Sequence, residues 1–165
     1  MKTIHFLRHA KSSWDDFELK DYDRPLSTRG IQDADLMGNY FRSKKIKLDL
    51  VISSPSKRTK ETIEHFFQFE RPKVQFEESI YHASLDDILN VIFSVPENKE
   101  SIMLVGHNPS MHEITEYLSN KFVNKYQTCC LASLAINTAK ATEIATIHKG
   151  ISTGMIIGIK SPVTR

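Results

Sequence analysis

Four short runs rich in apolar and β-branched residues alternate with longer stretches whose apolar residues recur at helical spacing, and this alternation constrains the fold more than any other feature. The runs are Lys2 to Leu7, Leu50 to Ser53, Lys73 to Glu77 and Ser101 to Val105. Between the first two, Ile31, Ala34, Met37 and Phe41 mark one helical face behind Ser27, a residue suited to capping. Ser54 reads as the cap of the next helix, with Pro55 at its first position. Ser84 caps a third, with Leu85, Ile88, Leu89 and Ile92 on one side and Pro96 at its end. A fourth opens behind the turn at Gly106.

Strand alternating with helix predicts an α/β fold: a three-layer α/β/α sandwich whose central sheet is mostly parallel, with helices on both faces. At 165 residues the chain is the size of one ordinary domain, so residues 1–165 are read as one unit without linker or repeat. The tail differs. CCLASLAIN and EIATIHKG read as two strands joined by a turn near Thr138 to Ala141, and Met155 to Ile159 as a last strand.

A formal net charge of +2 is too small to argue for nucleic acid binding, so any cationic function must come from a local cluster. No apolar stretch reaches the roughly 18 residues of a membrane span. The only cysteines, Cys129 and Cys130, are adjacent. In a strand they point to opposite faces, a poor geometry for a disulfide, and two thiols make no zinc-thiolate set. A reduced, cytoplasmic protein is expected. The sequence does not decide the oligomeric state, and a monomer is the working expectation.

In parallel sheets, ligands sit beyond the carboxyl ends of the strands. Three polar clusters fall there. Arg8 and His9 follow the first strand, SSPSKR reaches Arg58 after the second, and Gly106-His107-Asn108-Pro109 follows the fourth. Taken singly each has an ordinary explanation. Arg58 is spaced to pair with Glu61, and His107 before Asn-Pro is a natural turn residue. Their shared placement favours one rim. Arginine forks and helix N-termini match phosphate oxygens, so a phosphoryl group is the common ligand.

These segments resemble the histidine phosphatase superfamily, which has a phosphoglycerate mutase-like fold. Its Arg-His-Gly hallmark stands here as Arg8-His9-Ala10, with alanine for glycine. LRHAKSSW, DRPLSTRG, SSPSKRTKET, YHAS and LVGHNP together resemble the small phosphohistidine phosphatase branch typified by SixA, across residues 4–110. The resemblance implies that His9 is the nucleophile and becomes phosphorylated. It implies that Arg8, Arg58 and His107 hold the phosphoryl oxygens, with Ser12 lining the same loop. Nearby cations favour a neutral imidazole, and a backbone carbonyl is expected to hold the second ring nitrogen.

No cofactor or metal is expected, since the arginines supply the positive charge. A general acid is not evident. Asp15 and Glu78 are the candidates, as an acid or as rim residues, with Glu77 beside them. A basic phosphoramidate nitrogen leaves protonated more readily than an alkoxide. The expected activity is therefore removal of phosphate from protein phosphohistidine through a phosphohistidine enzyme, without metal. Two alternatives stand: a phosphatase for small phosphomonoesters, and a non-catalytic phosphate-binding or scaffold protein. The expected partner is a phosphorylated protein or small phosphorylated substrate, not nucleic acid or a membrane.

Overall fold

The computed structural model describes residues 2–136 and 154–162. In chain order these form β1 (Lys2–Arg8), α1 (Thr28–Ser43), β2 (Leu50–Ser53), α2 (Lys57–Phe66), β3 (Val74–Phe76), α3 (Leu85–Ser94), β4 (Ser101–Gly106), α4 (Ser110–Ser119), β5 (Leu131–Ile136) and β6 (Gly154–Lys160). Short 3₁₀ turns lie at Asp21–Asp23 and Glu78–Ile80. None of the described helices is long and apolar enough to cross a membrane.

One sheet runs β3-β2-β4-β1-β5-β6. The first four strands in that order are mutually parallel, while β5 and β6 add an antiparallel edge. Strand alternation splits the core. Ile4, Phe6, Ile52, Ile102 and Leu104 face α3 and α4, where they meet Ile88, Leu89 and Ile114. Leu7, Val51, Met103 and Val105 face α1 and α2 and meet Met37, Phe41, Ile63 and Phe66. The result is the expected three-layer α/β/α arrangement with a mostly parallel sheet.

Two helix starts follow their caps closely. The Ser27 Oγ accepts from the Gly30 amide at 3.1 Å. Ser84 and Asp87 form a reciprocal capping box. The start of α2 differs from expectation. Its N-cap is Ser56, not Ser54, and Pro55 lies outside the helix. The Ser54 amide still donates to the Val105 carbonyl at 3.0 Å, so the chain leaves β2 in sheet-like pairing for one more residue. That turns the Ser54 side chain toward His107.

The tail also differs. Cys129 and Cys130 precede β5 rather than lying in it. They nonetheless take opposite layers, Cys129 with the α1/α2 cluster and Cys130 with the α3/α4 cluster, both as free thiols. Burial raises both thiol pKa values, that of Cys130 to about 12, which suppresses thiolate chemistry. Between β1 and the sheet edge, β5 pairs on its outer side with β6, at Gly154–Lys160. The expected EIATIHKG strand and the turn near Thr138 to Ala141 lie outside the described residues.

Gly30 ties α1 to the segment after β1. The Lys11 carbonyl accepts from both the Ser27 amide and the Ser27 hydroxyl, and a Cβ on Gly30 would collide with that same carbonyl oxygen. The obstacle is backbone, so it cannot yield by rotating a side chain. Gly30→Ala is expected to destabilise the fold by about 1–3 kcal/mol, the usual cost of overpacking. Thermal unfolding should register a drop of roughly 3–10 °C for a chain of this size. An unchanged midpoint would mean that the close approach carries no strain.

Candidate active site

The parallel strands deliver their carboxyl ends to one edge of the sheet. β1 ends at Arg8, which pairs in register with Gly106 at the end of β4. His9 follows, and its amide donates to the Gly106 carbonyl at 2.9 Å while its carbonyl accepts from the Cys129 amide at 2.9 Å. The histidine backbone is thus held on both sides before its ring makes any contact.

The His9 ring is buried, and its Nδ1–H donates to the Ala10 carbonyl at 2.7 Å. A carbonyl can only accept, so Nδ1 carries the proton and Nε2 is left with its lone pair. Burial is the main cause that lowers the His9 pKa, to about 3. The Ala10 hydrogen bond opposes it, and Arg58, Arg8 and Arg24 reinforce it. Ala10 itself has no exposed surface, and its amide donates to the Thr62 hydroxyl on α2 at 3.0 Å. An alanine therefore fits where the family hallmark has glycine.

His107 packs against His9 with ring centroids 5.1 Å apart. Its Nε2 lies 2.8 Å from the Ser54 hydroxyl, and its buried Nδ1 has no partner among the described residues. Burial, then His9 and Arg58, lower its pKa to about 3. Both rings are therefore neutral at ordinary pH.

A cavity of about 460 Å³ opens over this edge. Arg8, His9, Ser12, Arg24 and Arg58 form part of its wall, together with Lys11, Trp14, Arg29 and Lys125. His107 sits beside His9 without forming part of that wall. Every charged side chain of the wall is a cation. Arg8 is steadied by donation to the Tyr126 carbonyl at 2.9 Å. Arg58 does not pair with Glu61, whose carboxylate accepts from the Leu26 amide instead. It reaches Asp21, donating to the carbonyl at 2.6 Å and to the carboxylate at 3.0 Å.

Asp15 and Glu78 are exposed and outside the cavity wall, and Glu77 spends its carboxylate on the Gln75 amide at 2.6 Å. The carboxylate at the site is Asp21. It accepts from Arg58, from Arg24 at 3.2 Å and from the Tyr81 hydroxyl at 2.7 Å. Partial burial would raise its pKa, but the Tyr81 hydroxyl and the two guanidiniums outweigh burial and hold it at about 2. Asp21 is an anion that orders arginines, not a proton donor at neutral pH.

Arg24 was not singled out by the sequence. It is buried and donates to the Ser13 carbonyl, the Ser12 hydroxyl and Asp21 at once. A buried arginine needs such partners, and DYDR holds the signal: Asp21 and Arg24 are opposite charges three apart in a loop returning to the first strand.

Three buried neutral histidines give a sign to the pH dependence of stability. His5, beneath α1, is lowered by burial to about 4, and His9 and His107 to about 3. In the unfolded chain each takes up a proton near pH 6.5, where the folded chain does not. The unfolded state therefore binds more protons below pH 6.5, and stability falls as pH falls, by up to about 1.4 kcal/mol per unit per histidine, until the folded values are reached. Urea midpoints should drop clearly between pH 7.5 and 5.5. Equal midpoints would contradict neutral burial.

The family model of the histidine phosphatase superfamily (branch 1) matches residues 4–88. An uncharacterized chloroplastic protein of Arabidopsis thaliana is 36% identical over 145 residues, covering 81% of this chain; the match spans 66% of that protein's length. Among solved structures, an Agrobacterium tumefaciens protein assigned as phosphohistidine phosphatase SixA matches with a TM-score of 0.83 at 23% identity, covering 98% of this chain and 99% of that one. The protein histidine phosphatase SixA complexed with tungstate matches with a TM-score of 0.80 at 19% identity and 97% coverage of both chains. A six-stranded sheet of the same fold, an Arg-His pair at the end of its first strand and a family match spanning half the chain converge on one conclusion: the chain belongs to the histidine phosphatase superfamily and has a SixA-like fold.

Proposed function

We propose that this protein is a phosphatase that removes phosphate from protein-borne phosphohistidine through a phosphohistidine intermediate on His9, without a metal ion. The observation that carries the reading is the pinned tautomer: the Ala10 carbonyl holds Nδ1–H, and Nε2 is the unprotonated nitrogen beside three guanidiniums. In the first step Nε2 attacks phosphorus, the N–P bond of the substrate breaks, and its electron pair returns to the substrate imidazole, which takes a proton from water. In the second step water attacks phosphorylated His9, the new N–P bond breaks toward Nε2, the proton shed by the attacking water neutralises the hydroxide left by the first step, and inorganic phosphate leaves. Histidine plus phosphate is the sum, with one water consumed.

Arg8, Arg24 and Arg58 face the charge on the transferring group, and phosphoryl transfer depends on such positioning more than on further covalent help. His107 packs as a neutral ring against the nucleophile, and Ser12 keeps Arg24 in line. Asp21, with its pKa near 2, supplies no proton at neutral pH. A phosphoramidate nitrogen can take its proton from water and leave as neutral imidazole, whereas an alkoxide needs a positioned acid. This is the reason to favour phosphohistidine over phosphomonoesters.

The test offers the protein, with EDTA present, a phosphohistidine-bearing domain and separately a panel of phosphomonoesters, with early quenching to trap acid-labile phosphate. Rapid loss from the domain with label on His9 supports the reading. Label on His9 from phosphomonoesters alone keeps the nucleophile and overturns the substrate. Absence of label and turnover with every donor leaves a phosphate-binding protein.

A further inference from the structure

The loop from Lys11 to Leu26 does more than supply Asp21 and Arg24. It also carries Trp14, 66% exposed, and Phe17, 90% exposed, with Leu19 partly exposed as well. Trp14 lines the cavity and Phe17 lies three residues further along the same loop, and large side chains facing water in this way are an ordinary sign of a contact surface. Trp14 is not loose. The Arg24 guanidinium stacks 3.3 Å from its ring centre, and the same guanidinium is held by Ser12, Ser13 and Asp21. The indole is therefore fixed relative to the cavity whose wall it joins.

The outer wall is cationic. Lys11, Arg29 and Lys125 are exposed there, beyond the arginines around His9, and of these Arg29 also lies 3.6 Å from Asp33. Apart from Asp21, the carboxylates of the loop, Asp15, Asp16, Glu18 and Asp23, are exposed and outside that wall. One phosphoryl group is already matched by three arginines, so three further cations exceed what it needs. They call for negative charge on the substrate away from its phosphate.

We propose that Trp14 and Phe17 form a docking surface for the partner protein, receiving an apolar side chain next to its phosphohistidine, while Lys11, Arg29 and Lys125 receive carboxylates on the partner's surface around it. This rests on the phosphohistidine reading above and names what lies around the phosphate rather than the phosphate itself. Rigid aromatic anchors dominate such interfaces because they bury large area at little cost in conformational entropy.

Phe17→Ala is the first variant, since the residue touches neither cavity wall nor core. Two donors are compared: a phosphorylated histidine phosphotransfer domain and free phosphohistidine. The expected result is a KM for the domain raised about tenfold, a kcat little changed, and turnover of free phosphohistidine within about twofold of wild type. Raising salt from 50 to 300 mM should lower kcat/KM for the domain several times more than for free phosphohistidine, and Lys125→Glu should weaken that salt dependence. Equal kinetics for Phe17→Ala and wild type on the domain would overturn the docking surface while leaving the phosphatase reading intact. Equal losses on both donors would also overturn it, by assigning the effect to the pocket. Failure of the wild type on phosphohistidine in either form, with phosphomonoesters turned over, would instead overturn the substrate reading and the docking surface with it.

Discussion

Replacing His9 with alanine should reduce turnover of a phosphohistidine donor by about 10⁴-fold or more and abolish acid-labile phosphate on the protein. Removing a nucleophile forces the reaction back to a single direct displacement, and losses of this order or larger follow in enzymes with covalent intermediates. Phosphate or tungstate affinity should change far less, because Arg8, Arg24 and Arg58 remain on the wall. The comparison separates chemistry from binding. Isothermal titration checks the affinity and rapid-quench labelling checks the intermediate. Turnover of His9→Ala within tenfold of the wild type would remove His9 from the mechanism, and a parallel loss of oxyanion affinity would instead indicate a collapsed site.

Arg58→Ala is the second large effect, expected at about 10²–10³ in kcat/KM, the range for deleting one preorganised donor to developing charge. The loss has two parts. One guanidinium disappears from the phosphoryl group, and Asp21 is left beside the pocket with one fewer cation to offset its charge. Arg58→Lys should recover only part of the activity, because a single ammonium cannot hold the Asp21 carbonyl and carboxylate together as the fork does. Asp21→Asn should cost less, about tenfold, since the carbonyl that anchors Arg58 at 2.6 Å survives. Steady-state kinetics on one donor order the three variants. If Asp21→Asn is as damaging as Arg58→Ala, Asp21 acts directly on the substrate rather than through the arginine.

Much of the site was legible in advance for a simple physical reason. Parallel strands share a direction, so residues at their carboxyl ends meet without any knowledge of side-chain packing. Arg8 and His9, Arg58, and His107 lie at three such ends. A backbone carbonyl on the second ring nitrogen was likewise expected, since a neutral imidazole with one job needs its tautomer held, and the structure supplies that of Ala10. The start of α2 was less legible: Ser54 and Ser56 are both good caps by residue type, and only the pairing of Ser54 with Val105 decides between them.

The carboxylate that meets the arginines was not legible in the sequence, for a related reason. Asp15 stood closer to His9 along the chain, and Glu78 beside a predicted strand end, but loops do not preserve sequence proximity. The turn at Asp21–Asp23 swings Asp21 under Arg58, thirty-seven positions away, while Asp15 stays in solvent. Arg24 was passed over because a lone arginine in a polar loop is ordinarily solvated, and its burial depends on four separate partners.

The sequence by itself determined the layer architecture, the sheet edge where chemistry gathers and the identity of the residues at three strand ends. Hydrophobic periodicity and chain direction are local properties, and they suffice for those. The tertiary structure alone decided that Asp21 is an arginine-ordering anion rather than an acid, that Arg24 joins the pocket, and that Trp14 is held at its mouth. Each of those outcomes depends on charge pairing and burial among segments distant along the chain, and no spacing rule carries that information.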